Sequence, residues 1–156
     1  MIASKILAGI VAVIVLASVG TAIAWRYETN NTSLQVSGPA GTMVLKVESA
    51  AMEPTINEGS YILVNTTVKP SELAVNYPNS DLIVFHDPIA PSDLIVDRIV
   101  SAQTINGTLY FKTKGDANGN PYPQTPTTGL DPWDFNTPPG VPQDLVVGKV
   151  INTNYK

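Results

Sequence analysis

The fold is decided by the stretch Ser49-Ala50-Ala51-Met52-Glu53-Pro54-Thr55, which lies between two runs of β-type residues. The apolar run Met43–Val47 precedes it, and a second apolar run begins at Tyr61, just after Glu58-Gly59. Pro and Gly between two such runs predict a tight turn. We therefore expect the small side chain at position 51 to lie out at the end of a β-element, where a nucleophile would be presented.

The rest of the chain beyond residue 26 follows the same β pattern. Short runs rich in β-branched and aromatic residues are separated by Pro, Gly, Asn and Asp, and no window shows a sustained helical period. The predicted strands are Met43–Val47, Tyr61–Asn65, Leu82–Phe85, Leu94–Val100, Thr108–Thr113 and Leu145–Ile151. These runs predict a mainly β domain of short strands over residues 43–156.

The N-terminal part of the chain is apolar. Residues 6–24 carry no charge and are bracketed by Lys5 and by Trp25-Arg26. At a rise of about 1.5 Å per residue, a helix of this length nearly spans a hydrocarbon core of about 30 Å. We expect residues 1–26 to form a retained hydrophobic helix that contacts the membrane or copies of itself through residues 6–24. An A-x-A site at residues 22–24 leaves a cleaved signal peptide as the alternative.

Two other segments lack a strong strand pattern. Residues 27–42 are polar and are predicted to be a spacer, with a short strand at Leu34–Val36. Residues 115–144 hold seven of the thirteen prolines, too many for regular structure. We expect an ordered Pro-rich excursion there, packed by Trp133 and Phe135, because free linkers seldom carry such aromatic residues.

Composition excludes several classes of site. The chain has no Cys and a single histidine, His86, so neither a disulfide framework nor a multi-His metal site can form. His86 is expected to be an exposed turn residue. The formal net charge is -4, which argues against nucleic acid as a partner. No metal and no cofactor are expected.

Several segments together resemble the type I signal peptidases, most closely the archaeal and endoplasmic-reticulum type. Ser49 and Met52-Glu53-Pro54 fit the Ser-x-Ser-Met-x-Pro box of that family. The later boxes occur in the family's order and cover, with the first, roughly residues 43 to 151. They are Asp81–Phe85 for Gly-Asp-hydrophobic-Val-Phe, Leu94–Val100 for Ile-Val-His-Arg-Val, Phe111–Asn118 for Thr-Lys-Gly-Asp-x-Asn, and Val146–Val150 for the closing strand.

The resemblance implies a signal-peptidase-like fold that is catalytically degenerate. The position of the attacking serine is Ala51, and the position of the general base is Asp97. A carboxylate with an ordinary pKa near 4 is poorly matched to deprotonating a serine at neutral pH. Of the acids that orient the base, Asp116 is present, whereas Tyr122 occupies the second acidic position. Ser49 is the only hydroxyl nearby, on the possible oxyanion side.

Asp97 has two interpretations from the sequence. We expect its carboxylate to pair with a nearby cation, for which the candidates are Arg98, Lys112 and Lys114. The alternative is a carboxylate pair between Asp97 and Asp116 that shares a proton or binds a cation.

The predicted function is that of a non-enzymatic surface or envelope subunit, membrane-anchored, facing outside the cytoplasm and self-associating through its N-terminal helix. One alternative is a module that binds an extended peptide by strand addition in a groove between Met43–Val47 and Leu82–Phe85. Another is an active serine endopeptidase of the signal-peptidase type captured as a Ser-to-Ala variant. Outside the cell, four sequons offer glycosylation sites, at Asn30, Asn31, Asn65 and Asn106.

Overall fold

The computed structural model describes residues 31–118 and 129–156, with the side chains of residues 31–37 left out of the description. The predicted N-terminal helix therefore lies outside the described residues. Eight strands account for most of the described chain. They are β1 (Asn31–Ser37), β2 (Thr42–Val47), β3 (Tyr61–Asn65), β4 (Leu82–His86), β5 (Leu94–Ile105), β6 (Thr108–Lys114), β7 (Val141–Pro142) and β8 (Val146–Asn152).

The described secondary structure confirms the mainly β prediction. The only helical elements in residues 31–118 and 129–156 are four short 3₁₀ helices. They are Ala50–Met52, Pro70–Glu72, Pro132–Phe135 and Gln143–Leu145. Each is three or four residues long, the usual length of such turns.

All eight strands belong to one antiparallel sheet in the order β1-β2-β3-β8-β4-β5-β6-β7. An additional pairing of β1 with β5 joins the first strand to the sixth, so six strands form a closed ring. Strands β6 and β7 extend from β5 beyond the ring. A ring of this kind leaves few strand edges open, which protects the sheet from pairing with other chains.

Two apolar cores lie on opposite faces of β4 and β5. The first core is inside the ring and contains Val84 and Val96 together with side chains of β2, β3 and β8. The second core lies outside the ring and contains Ile83, Phe85, Ile95 and Ile99. Because successive strand residues point to opposite faces, β4 is buried on both sides. This explains its unbroken apolar run Leu82–Phe85.

The segment predicted to be a spacer contains a full strand. Residues 31–37 form β1 rather than the three-residue strand expected at Leu34–Val36. This strand is paired on both sides, with β2 and with β5. β1 forms through its pairing with β2 and β5. Its own residues are polar, so no local apolar pattern in the sequence reveals the full strand.

The Pro-rich excursion is only partly packed as predicted, and its residues 119–128 lie outside the described chain. Trp133 is 1% exposed, and its ring meets Phe85 edge-on at 5.5 Å in the second core. Its Nε1 donates to Thr113 Oγ1 at 2.9 Å. Phe135 is 74% exposed, so the prediction that it packs the excursion is wrong. Trp133 and Phe135 lie two residues apart in a 3₁₀ helix. Because such a helix has three residues per turn, the two rings point in different directions.

This difference predicts unequal effects of substitution. Trp133→Phe should destabilise the domain by about 2 kcal/mol, because it leaves a cavity and removes the donor to Thr113. Phe135→Ala, the matched control, should leave stability unchanged within about 0.5 kcal/mol. Urea denaturation of the two variants checks this. Equal losses for the two would contradict the assignment of Trp133 as the anchor of the excursion.

Candidate functional site

Position 51 lies in the short 3₁₀ helix that follows β2, not at an exposed tip. Ala51 is 5% exposed and packs beside Met52, a residue of the first core. Ser49 caps this helix, and its Oγ accepts a hydrogen bond from Ala51 N at 3.3 Å. The expectation that the side chain at position 51 is presented outward is therefore wrong. The hydroxyl of Ser49 serves as a helix cap.

The segment Gly115–Ala117 lies directly against this helix. Ala117 N donates to Ala51 O at 2.8 Å. A Cβ at position 115 would lie 2.7 Å from Ala51 O, closer than a real side-chain atom can approach. Gly115 is thus required by the contact between the two segments. The fold brings the Ser49–Thr55 and Phe111–Asn118 segments together.

Asp116 is held in a buried ion pair. Its two carboxylate oxygens accept from Arg98 Nε and Nη2, each at 2.7 Å, and Thr55 Oγ1 donates to the second oxygen. Both partners are buried, with side chains 8% and 2% exposed. Arg98 Nη1 also donates to the carbonyl oxygens of Pro78 and Ser80 at 3.0 and 2.9 Å. Bidentate geometry of this kind is strong and rigid, so Asp116 is part of a structural network.

The pairing expected for Asp97 is wrong. Arg98, the nearest candidate cation, binds Asp116 instead. Alternation along β5 explains why: Asp97 shares its face with Ile95 and Ile99 and lies opposite Ile83 in the second core, whereas Arg98 points to the other face. Adjacent residues of a strand point to opposite faces of the sheet, so their side chains cannot readily form an ion pair with each other.

Asp97 is instead a buried acid in the second core. It is 0% exposed, and neither carboxylate oxygen reaches a hydrogen-bond partner among the described residues at the distance of a direct bond. Burial raises the pKa of Asp97 well above its ordinary value, and the nearby Asp131 and Asp134 carboxylates raise it further, with a smaller effect from Asp116. The expectation that Asp97 is an ordinary ionised carboxylate is therefore corrected.

Two further acids complete a buried cluster, which we name the acid cluster: Asp97, Asp131 and Asp134. Asp131 Oδ2 accepts from Thr113 Oγ1 at 3.0 Å, and Asp134 accepts from the backbone N–H groups of Thr113 and Asp131. Burial raises the pKa of Asp131 to about 6. Burial, with the neighbouring charge of Asp131, raises the pKa of Asp134 to about 8. The cluster therefore retains protons at a pH where ordinary Asp residues have lost them.

The carboxylate pair considered between Asp97 and Asp116 does not form, because Asp116 binds Arg98 and neither oxygen of Asp97 has a hydrogen-bond partner among the described residues. Among the neighbouring acids, Asp131 raises the pKa of Asp97 more than Asp116 does. Asp131 lies 34 positions further along the chain. Asp131 and Asp134 form a capping box at the start of the 3₁₀ helix Pro132–Phe135. The Asp131 side chain accepts from the backbone N–H of Asp134, and the Asp134 side chain accepts from the backbone N–H of Asp131. The spacing Asp-Pro-Trp-Asp is the sequence signal that could have identified these two acids.

Lys114 is a buried cation whose charge acts on Asp131 of the acid cluster. It is 1% exposed, and burial lowers the pKa of its ammonium group while the charges of Asp116 and Asp131 raise it. No group of three or more metal-ligating side chains occurs within residues 31–118 and 129–156.

The remaining predicted positions lie away from this region. His86 ends β4, is half-buried rather than exposed, and its Nδ1 lies 2.8 Å from Pro91 O. Asn106 is exposed at the turn between β5 and β6, with φ 50°. Asn65 Oδ1 accepts from the N–H and hydroxyl of Thr67, the third residue of its own sequon. Asn30 lies outside the described residues, and Asn31 begins β1.

The groove predicted between Met43–Val47 and Leu82–Phe85 does not form. Strand β2 lies between β1 and β3, and β4 lies between β5 and β8, so the two strands are not neighbours and both edges of each are paired. A cavity of about 820 Å³ lies elsewhere, where it is lined by Val44, Tyr61 and Tyr155 among others. None of Ala51, Asp97 and Asp116 lines it.

Comparisons with known proteins give no match: no protein-family model fits the chain, and no curated protein or solved structure matches it. In the part of the chain that the structure describes, no helix has the length and hydropathy needed to cross a membrane. The apolar run at residues 6–24 lies outside that part.

Proposed function

We propose that this chain is a non-enzymatic surface or envelope subunit, built on a signal-peptidase-like domain and anchored by its N-terminal apolar segment. The proposal joins the resemblance of the sequence boxes to what occupies each catalytic-type position. The main support for the proposal is that each of these positions either lacks a reactive group or is buried in the protein interior.

The structural reason differs among the three positions. Ala51 offers no atom for nucleophilic attack and is nearly buried. Asp97 is fully buried in the second core beside Asp131 and Asp134, so its carboxyl group does not face a substrate in solvent. Asp116 uses both oxygens to bind Arg98. General-base catalysis needs a nucleophile and a base within hydrogen-bond reach of each other and of the substrate.

The occupied sheet edges support the same proposal. The edge of β2, the strand leading to position 51, is covered by β1, and so is the start of β5, the strand that carries position 97. An extended peptide therefore finds no open edge beside β2 or beside the start of β5 as folded. This favours a structural role over the peptide-binding alternative.

The test is cleavage of a synthetic peptide containing an A-x-A site. The unmodified chain should show no turnover above a blank. The Ala51→Ser variant and the Ala51→Ser/Asp97→His double variant should remain inactive as well, because position 51 is buried and Asp116 is held by Arg98.

A matched control is Ser101→Ala, a change at an exposed β5 residue, purified in the same way to measure contaminating peptidases. Turnover by the unmodified chain above the level of this control would overturn the proposed function. Detection of assemblies by light scattering would support the structural role independently of the peptidase assay.

A further inference from the structure

The closed ring depends on its first strand. β1 pairs with β2 from Thr32↔Val47 to Ser37↔Met43, and at its other edge Asn31 pairs with Ile95 and Thr32 with Leu94 of β5. Without β1, a slot would open between β2 and β5. We name this the β2–β5 slot.

An empty slot would be costly. The facing edges of β2 and β5 would present unpaired backbone N–H and C=O groups next to an apolar core. Open edges of this kind pair readily with any available strand. The β2–β5 slot is therefore a site that requires an extended strand, and β1 is the segment of this chain that fits its register.

The attachment of β1 allows it to exchange. The residues before β1 lie outside the described chain, and β1 is joined to β2 by a short connection at residues 38–41. Pro39 and Ala40 in this connection are exposed. Within the described chain, a short connection at the surface lets the strand move away from its neighbours.

Opening the connection breaks four hydrogen bonds of the turn. Thr42 N and Thr42 Oγ1 donate to Pro39 O at 2.9 and 2.7 Å, and Thr66 N and Thr66 Oγ1 donate to Gly41 O at 2.9 and 3.0 Å. These bonds lie at the surface, where water can replace them. The β1 strand of a second copy would form the same backbone pairs in the slot that the chain's own β1 forms.

We propose that β1 is exchanged between copies, so that the β2–β5 slot of one copy is filled by β1 of a neighbouring copy. This inference rests on the proposed structural function, which holds neighbouring copies close together through residues 6–24. Proximity of that kind raises the effective concentration of a neighbour's strand without any new contact. Each copy then donates one strand and accepts one, which generates an open chain of subunits unless the rotation closes it.

The absence of cysteine from the chain makes a clean test available. Ser33 and Lys46 are register partners across β1 and β2, and such partners lie at a separation suited to a disulfide. Full-length Ser33→Cys and Lys46→Cys chains, with tags of different mass, are co-expressed and oxidised. A mixed disulfide between the two chains then requires β1 of one copy to lie beside β2 of another.

The matched control is the pair Lys46→Cys and Tyr61→Cys, register partners across β2 and β3 within the same domain. We expect the Ser33/Lys46 mixture to give at least about tenfold more mixed disulfide than this control. A second mixture, Ser37→Cys with Met43→Cys, repeats the test at the other end of β1 and guards against a misfolded first variant. Mixed disulfides no more abundant than the control in both mixtures would overturn the exchange.

Light scattering of the same samples separates this inference from the proposed function. Assemblies that lack the mixed disulfide would overturn exchange and leave the structural role standing. Chains that do not assemble at all and form no mixed disulfide would overturn both. A covalent ladder indicates an open chain of subunits and a single dimer band indicates reciprocal exchange; either supports the proposal.

Discussion

The free energy of unfolding of this domain is expected to fall as the pH rises from about 5 to about 8, the reverse of the usual behaviour of a carboxylate-rich protein. The cause is the acid cluster. In the unfolded chain, Asp131 and Asp134 lose their protons near pH 4. In the folded chain they lose them near pH 6 and pH 8. Asp97 retains its proton beyond its ordinary range for the same reason, burial.

The sign follows from proton counting. Between pH 4 and the raised pKa values, the folded state binds more protons than the unfolded state, so raising the pH favours unfolding. Each excess proton contributes a slope of about 1.4 kcal/mol per pH unit. The stabilisation is complete below about pH 4 and is lost in steps as the pH passes about 6 for Asp131 and about 8 for Asp134. Other charged groups facing the cluster are Asp87, Asp116, Lys112 and Lys114.

The variant that isolates the effect is Asp97→Asn, which keeps the shape of the side chain and removes its titration. It should flatten the decline, because the folded state no longer holds the excess proton of Asp97. The variant should be more stable than the unmodified chain at pH 8 and similar to it at pH 4. Asp144→Asn, at an exposed position, is the matched control and should leave the slope unchanged.

Urea denaturation at half-unit steps between pH 4 and pH 8.5 measures these slopes. Stability that rises across this interval in the unmodified chain would contradict the protonation of the acid cluster. An Asp97→Asn variant with an unaltered slope would remove Asp97 from the cluster and leave Asp131 and Asp134 as its titrating members.

The second large effect is expected at Asp116. Asp116→Asn should destabilise the domain by about 3–5 kcal/mol, because it leaves the buried Arg98 guanidinium without its carboxylate. Breaking one half of a buried pair is costly since the remaining charge cannot return to water. Glu72→Gln is the matched control, because Glu72 forms an exposed ion pair with Lys69, of a kind that contributes little.

A double variant shows whether the cost comes from the unpaired charge. Arg98→Met/Asp116→Asn should lose less stability than the sum of the two single changes, since removing both partners leaves no isolated buried charge. Chemical denaturation of the three variants at a single pH gives the coupling energy. Strict additivity would mean that the two residues stabilise the fold independently of each other.

The strands were the most predictable part of the fold. Runs such as Tyr61–Asn65 and Leu82–Phe85 are apolar, β-branched and bounded by turn residues, so their local pattern is sufficient. β5 extends to Ile105, five residues beyond its predicted end at Val100. Its last part, Ser101–Ile105, is stabilised by the hairpin with β6, and the residues themselves have no strong apolar alternation.

The site was less predictable because its contacts join distant segments. The contact between Ala51 and Ala117 joins segments that lie 66 positions apart along the chain. The partner of Arg98 depends on which face of β5 each residue occupies, and a strand buried on both sides gives no polar–apolar alternation from which to read it. Asp131 was missed because a loop from the Pro-rich excursion carries it into the core.

The position of β8 between β3 and β4 has a consequence for biosynthesis. Before residues 146–152 leave the ribosome, the meanders β1–β2–β3 and β4–β5–β6 can be joined only by the two residue pairs between β1 and β5, and β3 and β4 each keep an exposed edge. The pairings that close the ring include Leu63 with Asn152, a long-range contact that forms slowly because a large loop must close first. The ring is therefore completed only after synthesis of its final strand. A nascent or truncated chain that ends before Val146 exposes two half-sheets to aggregation, which a chaperone or an unfolded translocation state must prevent.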